Sequence, residues 1–107
     1  MNATIIKYTV KLGRAVENEN YIKQVFAQLE GEKPDGLRYA AFKLEDGVTF
    51  VHLVSIDDPD RNPLRKLTAF KAFVADIDAR CATKPDASDL VEIGSYRLFH
   101  SAKTGVS

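Results

Sequence analysis

Two apolar segments joined by a short polar turn stand at the centre of the sequence. They lie within residues 36–56, GLRYAAFKLEDGVTFVHLVSI, and both are rich in the β-branched and aromatic residues that favour strands. Glu45, Asp46 and Gly47 separate them, and an Asp-Gly pair supplies the positive φ values that a tight hairpin turn requires. The pattern predicts a β-hairpin around which the rest of the chain is organised.

The register of this hairpin is open between two alternatives. If Asp46 and Gly47 alone form the turn, His52 lies opposite Ala41. If the loop has three residues with Gly47 in a bulge, His52 lies opposite Ala40. In both registers the even-numbered positions of the second strand share one face, because side chains alternate along a strand. These positions are Val48, Phe50, His52 and Val54.

The segment before the hairpin predicts a strand followed by a helix. Apolar and polar residues alternate from Thr4 to Leu12, which indicates a half-buried strand. A helix follows, capped by Asn18 or Asn20 and ending near Glu32. The apolar face of the strand comprises Ile6, Tyr8, Val10 and Leu12. The apolar stripe of the helix comprises Ile22, Val25, Phe26 and Leu29.

The segment after the hairpin predicts a helix followed by a strand. Asn62 is a good helix N-cap, and Pro63 suits the first helical position. Apolar residues then recur every three or four positions: Leu64, Leu67, Phe70, Val74, Ile77 and Cys81. Residues 84–86, Lys-Pro-Asp, end the helical segment. The stretch from Leu90 to His100 is predicted to be the last strand.

The order strand, helix, strand, strand, helix, strand predicts an α+β fold of the ferredoxin-like βαββαβ type, with a four-stranded antiparallel sheet. Both helices are expected to cover one face of that sheet. The other face then carries apolar residues, so we expect two sheets to pack face to face in a homodimer. The 107 residues suffice for a single domain, 1–107, whose ordered part spans about 3–100.

Charge and cysteine content narrow the class of protein. Fifteen basic and fifteen acidic side chains give a formal net charge of zero, so no strong field attracts nucleic acid or an anionic membrane. The single cysteine, Cys81, cannot form an internal disulfide, and the N-terminus lacks the long apolar core of a signal peptide. No apolar run approaches the roughly 20 residues that span a bilayer. We therefore expect a cytoplasmic protein without a nucleic-acid or membrane partner.

Three segments resemble the dimeric α+β barrel superfamily, and within it the small proteins grouped with antibiotic biosynthesis monooxygenases. They are YTVKLGRAVENENYIKQVFAQL, LRYAAFKLEDGVTFVHLV, and NPLRKLTAFKAFVADIDARC with its closing VEIGSYRLF. The subgroup that this chain resembles consists mainly of uncharacterised proteins. The resemblance implies that two sheets pack into a dimeric barrel. It also implies a small hydrophobic cavity between sheet and helices, to which Leu67, Phe70 and Val74 contribute.

The chain departs from the superfamily at two positions. Many monooxygenase-like members carry a Glu near the end of the third strand and a His in the second helix, whereas this chain has Val54 and Phe73 at about those places. Haem-degrading members use the His of that helix as the iron ligand. The resemblance therefore disfavours haem degradation and implies no cofactor.

His52 is the leading candidate for chemistry. It lies in the middle of the apolar run FVHLV, where a buried imidazole needs hydrogen-bond partners. As a catalytic residue it would be a general base that deprotonates a phenol or enol before reaction with oxygen. As a structural residue it would be hydrogen-bonded to a neighbouring strand or helix, which is the usual state of a buried polar group.

Five further residues are candidates for substrate binding: Arg38, Tyr39, Phe50, Phe70 and Tyr96. The arginine would hold a carboxylate by a bidentate contact, and the tyrosines would orient a polar substrate. Tyr8, on the apolar face of the first strand, is a weaker candidate. Tyrosine and arginine are also enriched in ordinary interfaces, and this favours packing and an interface ion pair as the role of these residues.

The sequence predicts no metal site. Residues 58–62 begin like a calcium-binding loop, but Pro63 and Ala69 occupy the positions that need Gly and Glu. His52 and His100 have no neighbouring Cys or Glu at the spacing of zinc ligands. No glycine-rich phosphate-binding loop is present either.

Two functions remain as hypotheses. The first is a cofactor-independent, monooxygenase-like enzyme that acts on a small aromatic or quinol-type compound, with His52 activating the substrate. The alternative is a non-catalytic dimeric module that binds a small apolar ligand or supports another protein. An open cavity lined by His52 would favour the enzyme, whereas a closed interface filled with side chains would favour the module.

Overall fold

The computed structural model describes residues 3–98, which form one four-stranded antiparallel sheet with helices on one face. The strands are β1 (Ala3–Val10), β2 (Leu37–Lys43), β3 (Thr49–Ile56) and β4 (Cys81–Leu90). The helices are α1 (Ala15–Glu32), α2 (Thr68–Ala75) and α3 (Ile77–Arg80). Two 3₁₀ turns, Pro59–Arg61 and Pro63–Lys66, connect β3 to α2. The sheet order is β2-β3-β1-β4, which confirms the predicted ferredoxin-like α+β fold.

The two faces of the sheet differ in what covers them. Tyr8 and Phe50 lie opposite each other on β1 and β3, and both are buried in the core with Val25 of α1 and Phe73 of α2. We call this side the helix-covered face. Alternation places the neighbouring side chains on the opposite side, which none of the described helices covers and which we call the uncovered face. Its apolar members include Ile5, Ala40, Val51 and Leu53, all half-buried.

The hairpin adopts the first of its two predicted registers, with His52 opposite Ala41. The prediction of positive φ values at both turn residues was wrong, because only Gly47 has one, at +78°. Asp46 stabilises the turn through its side chain instead. Its carboxylate accepts hydrogen bonds from the backbone N–H of Val48 at 2.9 Å and from that of Thr49 at 2.8 Å.

Two expectations about the first segment were wrong. The strand ends at Val10, so Leu12 lies beyond it and is 91% exposed. The helix begins at Ala15, so Asn18 and Asn20 both lie inside it and neither is the cap. Asn18 is fully buried, and its amide is used for contacts in the core, described below.

The helix predicted to begin at Pro63 is divided into three pieces. Asn62 does act as a cap, since its side-chain oxygen accepts a hydrogen bond from the Leu64 backbone N–H at 3.0 Å, but the turn it caps is a short 3₁₀ turn. Leu67 is extended, so the helical phase restarts after it. As a result Phe73 faces the sheet, whereas the predicted Val74 is 42% exposed.

The last strand begins at Cys81, nine residues earlier than predicted. β4 pairs with β1, so the predicted strand from Leu90 to His100 was wrong for its described part, while residues 99–100 lie outside the described residues. Residues 84–86 lie within the strand and do not end it. The β1–β4 register shifts by one residue at this point, and a bulge on an edge strand can accommodate Pro85.

Candidate functional site

His52 lies at the centre of a buried hydrogen-bond network on the helix-covered face, where its side chain is 3% exposed. Its Nε2 lies 2.8 Å from the hydroxyl of Tyr8, and its Nδ1 lies 2.6 Å from the hydroxyl of Tyr39. β3 runs between β1 and β2 in the sheet, so three adjacent strands supply these three side chains. Both nitrogens of the imidazole are therefore satisfied by neighbouring strands.

The network continues from Tyr8 to two fully buried polar residues. The Nδ2 amide of Asn18, on α1, donates to the Tyr8 hydroxyl oxygen at 2.9 Å. The Nε of Arg80, at the end of α3, donates to the Oδ1 of Asn18 at 3.1 Å. Arg80 also donates from Nη2 to the backbone carbonyl of Phe73 at 2.7 Å. A continuous chain of hydrogen bonds thus links Arg80 to Tyr39.

The charge of Arg80 is held mainly by aromatic rings and hydrogen bonds. Its guanidinium carbon lies 4.5 Å from the ring centroid of Tyr21 and 5.3 Å from that of Phe73. Its Nη1 makes no hydrogen bond to any of residues 3–98 and lies 3.9 Å from a carboxylate oxygen of Asp76. The inner end of the network therefore carries a buried positive charge.

Aromatic rings enclose the imidazole. The rings nearest to it, by distance between centroids, are Tyr8 at 5.4 Å, Phe73 at 5.5 Å and Tyr39 at 5.7 Å. Three further rings pack on these: Phe26 on Tyr39 at 4.9 Å, Phe50 on Tyr8 at 5.6 Å and Phe70 on Phe73 at 6.1 Å. The surroundings of His52 are thus almost wholly apolar apart from the two hydroxyls.

Burial sets the protonation of the network. Desolvation lowers the pKa of His52 to about 4. Desolvation also raises the pKa of Tyr8 to about 12, against the opposing effect of the hydrogen bond from Asn18, and it raises the pKa of Tyr39. At neutral pH the imidazole and both phenols are therefore uncharged, and Arg80 carries the only charge in the chain of hydrogen bonds.

A cavity of about 540 Å³ lies at one end of the sheet, and its lining includes no residue of the hydrogen-bond network. Its apolar walls include Val54 and Ile56 of β3, and its polar walls include Asn62 and Arg65. We call it the Val54 cavity, because Val54 lies directly opposite Tyr39 on the helix-covered face. A smaller cavity of about 140 Å³ lies beside Phe50. His52 lines neither of these two cavities.

The structure brings together four of the six predicted site residues: His52, Tyr39, Phe50 and Phe70. Arg38 precedes Tyr39 on β2, so it points to the opposite side, where it forms an ion pair with Asp57. Tyr96 was expected on the last strand but follows the end of β4 outside any strand, and it is 82% exposed. These two residues therefore lie apart from the network.

Two members of the network, Asn18 and Arg80, were not predicted as site residues. The sequence carries a signal for both, because each occupies a position within an apolar helical stripe. Asn18 stands four residues before Ile22, and Arg80 stands seven after Phe73. A polar residue at such a position is directed into the core, where it must find a hydrogen-bond partner.

Two further classes of site receive no support from the described residues. No helix within residues 3–98 is long and apolar enough to cross a membrane. In the same range, no group of three or more His, Cys, Asp or Glu side chains is placed to hold a metal ion.

The fold is that of the antibiotic biosynthesis monooxygenase-like proteins. A Nitrosomonas europaea protein provisionally assigned to that class matches 88% of this chain and 100% of its own, with a TM-score of 0.72 and 13% identity. Rv0793 from Mycobacterium tuberculosis matches 88% of this chain and 96% of its own, with a TM-score of 0.65 and 14% identity. SnoaB from Streptomyces nogalater, a cofactor-independent oxygenase, matches 88% and 94%, with a TM-score of 0.64 and 16% identity.

At these identities the likeness shows the fold and leaves the activity to be argued from the site. No family model matches the sequence, and no curated protein matches it. The structural matches confirm, for the fold, the resemblance noted from the sequence.

Proposed function

We propose that this protein binds a small aromatic or quinol-type molecule in the Val54 cavity and acts on it as a cofactor-independent monooxygenase. The observation that carries the proposal is the position of the cavity, whose Val54 wall lies opposite Tyr39 at the outer end of the buried network. Its volume of about 540 Å³ is of the size that holds small organic ligands. SnoaB, which shares the fold, is a cofactor-independent oxygenase.

The proposed reaction consumes one molecule of oxygen for each phenol. A phenol with a free para carbon and one O₂ give the para-quinone and one water, so one oxygen atom enters the ring and the other leaves as water. The substrate supplies all four electrons. The protein binds the phenol and stabilises the negative charge that develops on its oxygen.

The low pKa of His52 determines whether this residue can accept the proton of the phenol. Moving a proton from a phenol of pKa about 10 to an imidazole of pKa about 4 costs about 8 kcal/mol. Direct proton transfer to His52 in its present surroundings is therefore unfavourable. We propose instead that His52 acts through Tyr39, which forms a hydrogen bond to the substrate oxygen while the phenol proton passes to water.

Oxygen consumption with α-naphthol as the probe tests this function. We expect oxygen uptake and the corresponding para-quinone, with one atom of isotopically labelled oxygen in the product. Val54→Trp fills the cavity and should abolish both signals. The matched control, Val74→Trp, adds the same bulk to an exposed position on α2 and should leave them unchanged. Equal turnover by the Val54→Trp protein would rule out this cavity, and unchanged turnover by His52→Ala would remove His52 from the mechanism.

One observation favours a second candidate, the non-catalytic module. Both nitrogens of His52 are already bonded to tyrosine hydroxyls, and neither described cavity reaches the ring. On this reading the network holds the core in one arrangement, and the Val54 cavity only stores a ligand. Native mass spectrometry of protein taken directly from cells distinguishes the two. A stoichiometric small molecule on protein that consumes no oxygen with that molecule favours the module.

A further inference from the structure

We propose that each group in the buried network donates a hydrogen bond to the next, from Arg80 through Asn18 and Tyr8 to His52. This order leaves the hydroxyl proton of Tyr39 for a ligand. Asn18 and Arg80 are then positioning residues that set which nitrogen of His52 carries hydrogen. The direction of the network is a property of the free protein. Only the identity of the ligand rests on the proposed function.

The first step follows from the chemistry of arginine. A guanidinium has only donors, so the Asn18 atom that faces the Nε of Arg80 at 3.1 Å must be the amide oxygen. The amide nitrogen of Asn18 consequently faces Tyr8, and it donates to the hydroxyl oxygen at 2.9 Å. Arg80 thereby fixes the orientation of the Asn18 side chain.

The second step concerns the hydroxyl proton of Tyr8. Its oxygen already accepts from Asn18, and among residues 3–98 the remaining hydrogen-bond partner is the Nε2 of His52 at 2.8 Å. If Nε2 carried hydrogen, it would donate to Tyr8, and the Tyr8 proton would be left without an acceptor. Tyr8 is 1% exposed, and an unpaired buried donor is unfavourable. Tyr8 therefore donates, and Nε2 accepts.

The third step concerns which atom donates in the hydrogen bond between His52 and Tyr39. A neutral imidazole has one N–H, so an accepting Nε2 places hydrogen on Nδ1, which donates to the Tyr39 oxygen at 2.6 Å. The hydroxyl proton of Tyr39 then has no acceptor within the described part of the chain. Tyr39 is half-buried and does not itself line the cavity, but its cross-strand partner Val54 forms part of the cavity wall.

The class of ligand follows from this free donor. Tyr39 offers an O–H, so the ligand presents an acceptor oxygen to it, as a phenolate, an enolate or a quinone carbonyl does. The cation of Arg80 at the inner end polarises every hydrogen bond of the chain in the same sense, which favours negative charge at the outer end. Tyr39 is thus the catalytic residue that touches the substrate oxygen, and His52 positions it.

Nitrogen NMR of histidine-labelled protein tests the direction without any ligand. We expect the free protein to hold His52 with hydrogen on Nδ1, and the His100→Gln variant identifies the other histidine signal. Asn18→Asp should move the hydrogen to Nε2, because the new carboxylate accepts the Tyr8 proton and the Tyr8 oxygen then accepts from Nε2. Asn20→Asp, an exposed change on the same helix, is the matched control and should have no effect.

Hydrogen on Nε2 in the unmodified protein would overturn the proposal, and so would an unchanged tautomer in a folded Asn18→Asp protein. Tyr39→Phe gives an independent check if the Asn18 variant does not fold. Since Tyr8 sets the tautomer, Tyr39→Phe should leave hydrogen on Nδ1, whereas a switch to Nε2 would show that acceptance by Tyr39, and not donation by Tyr8, had held the hydrogen on Nδ1. These results stand whether or not α-naphthol is a substrate.

The ligand contact has its own test. We expect Tyr39→Phe to raise the Kd of α-naphthol by about fivefold, because one hydrogen bond to the ligand oxygen is lost. An unchanged Kd would remove Tyr39 from the ligand site. It would leave intact the direction of the network, which the NMR experiment tests separately.

Discussion

At the scale of single residues, His52 combines an unfavourable burial with two compensating hydrogen bonds. A tyrosine hydroxyl on each nitrogen contributes about 1 kcal/mol and satisfies a group that would otherwise be costly to bury. Protonation would upset this balance, because a buried imidazolium would have to find new acceptors. The protein should therefore respond to pH through this residue.

We expect the stability to fall as the pH falls from about 6.5 to about 4. The pKa of His52 is about 4 in the folded protein and about 6.5 in the unfolded chain, so in this window the unfolded chain binds more protons. The stability contributed by the neutral imidazole is complete above pH 6.5. It is lost as the pH falls through 4, at a cost of about 3 kcal/mol.

Urea unfolding at a series of pH values measures this dependence. His52→Gln keeps a polar side chain that does not titrate and should have a smaller slope of free energy against pH within the window. Carboxylates contribute equally to both proteins, and His100 is present in both. Equal slopes would mean that His52 does not have the low pKa assigned to it.

The sequence predicts that His52 is buried, but it does not identify the hydrogen-bond partners of His52. A histidine within FVHLV is predicted to be buried and bonded, since buried polar groups are normally satisfied. The identity of its partners depends on the pairing of three strands, which local patterns leave open. Asn18 was assigned to a cap because capping preferences are local, whereas its true role depends on packing against Tyr8 and Arg80.

At the scale of secondary-structure elements, Asn20 and Asn62 were both predicted as helix caps. Only Asn62 acts as one. Asn62→Ala should lower the free energy of unfolding by about 1 kcal/mol, because it removes the acceptor of the Leu64 backbone N–H. Asn20→Ala should change it by less than about 0.5 kcal/mol, since Asn20 is an exposed residue within α1. Urea unfolding at equal protein concentration compares them, and equal losses would contradict the assigned cap.

The accuracy of the element predictions depended on how each element is stabilised. β1, α1 and the hairpin bury one face, so their periodicity is visible in the sequence. β4 has the sequence CATKPDASDL and exposes every side chain after Cys81, so it shows neither the pattern nor the composition of a strand. Backbone pairing with β1 at the edge of the sheet makes it a strand, and that pairing overrides propensity. The stretch VEIGSYRLF has the better strand composition, but its described part, residues 91–98, follows the sheet.

At the scale of the whole molecule, apolar surface remains where the helices do not cover the sheet. The uncovered face presents Ile5, Val51 and Leu53, all half-buried. In the segment that follows β4, Val91 and Ile93 are also exposed, Ile93 to 96%. An apolar sheet face that no helix covers is typical of an interaction site. We propose that a second copy of the chain covers it, in the face-to-face arrangement expected from the sequence, because the zero net charge presents no electrostatic barrier to association.

Leu53→Lys should separate such a dimer. It places a charge at the centre of the uncovered face, where a stable interface would bury about 800 Å² on each partner. Val74→Lys makes a comparable substitution on the outer side of α2 and should leave the dimer intact. Native mass spectrometry and light scattering at micromolar concentration measure the outcome. A monomeric unmodified protein would contradict the barrel, whereas a folded monomer produced only by Leu53→Lys would locate the interface on this face. Val54 and Ile56 of the cavity wall lie on the helix-covered face, so such a monomer should still bind α-naphthol, and loss of binding would show that the partner sheet helps to form the site.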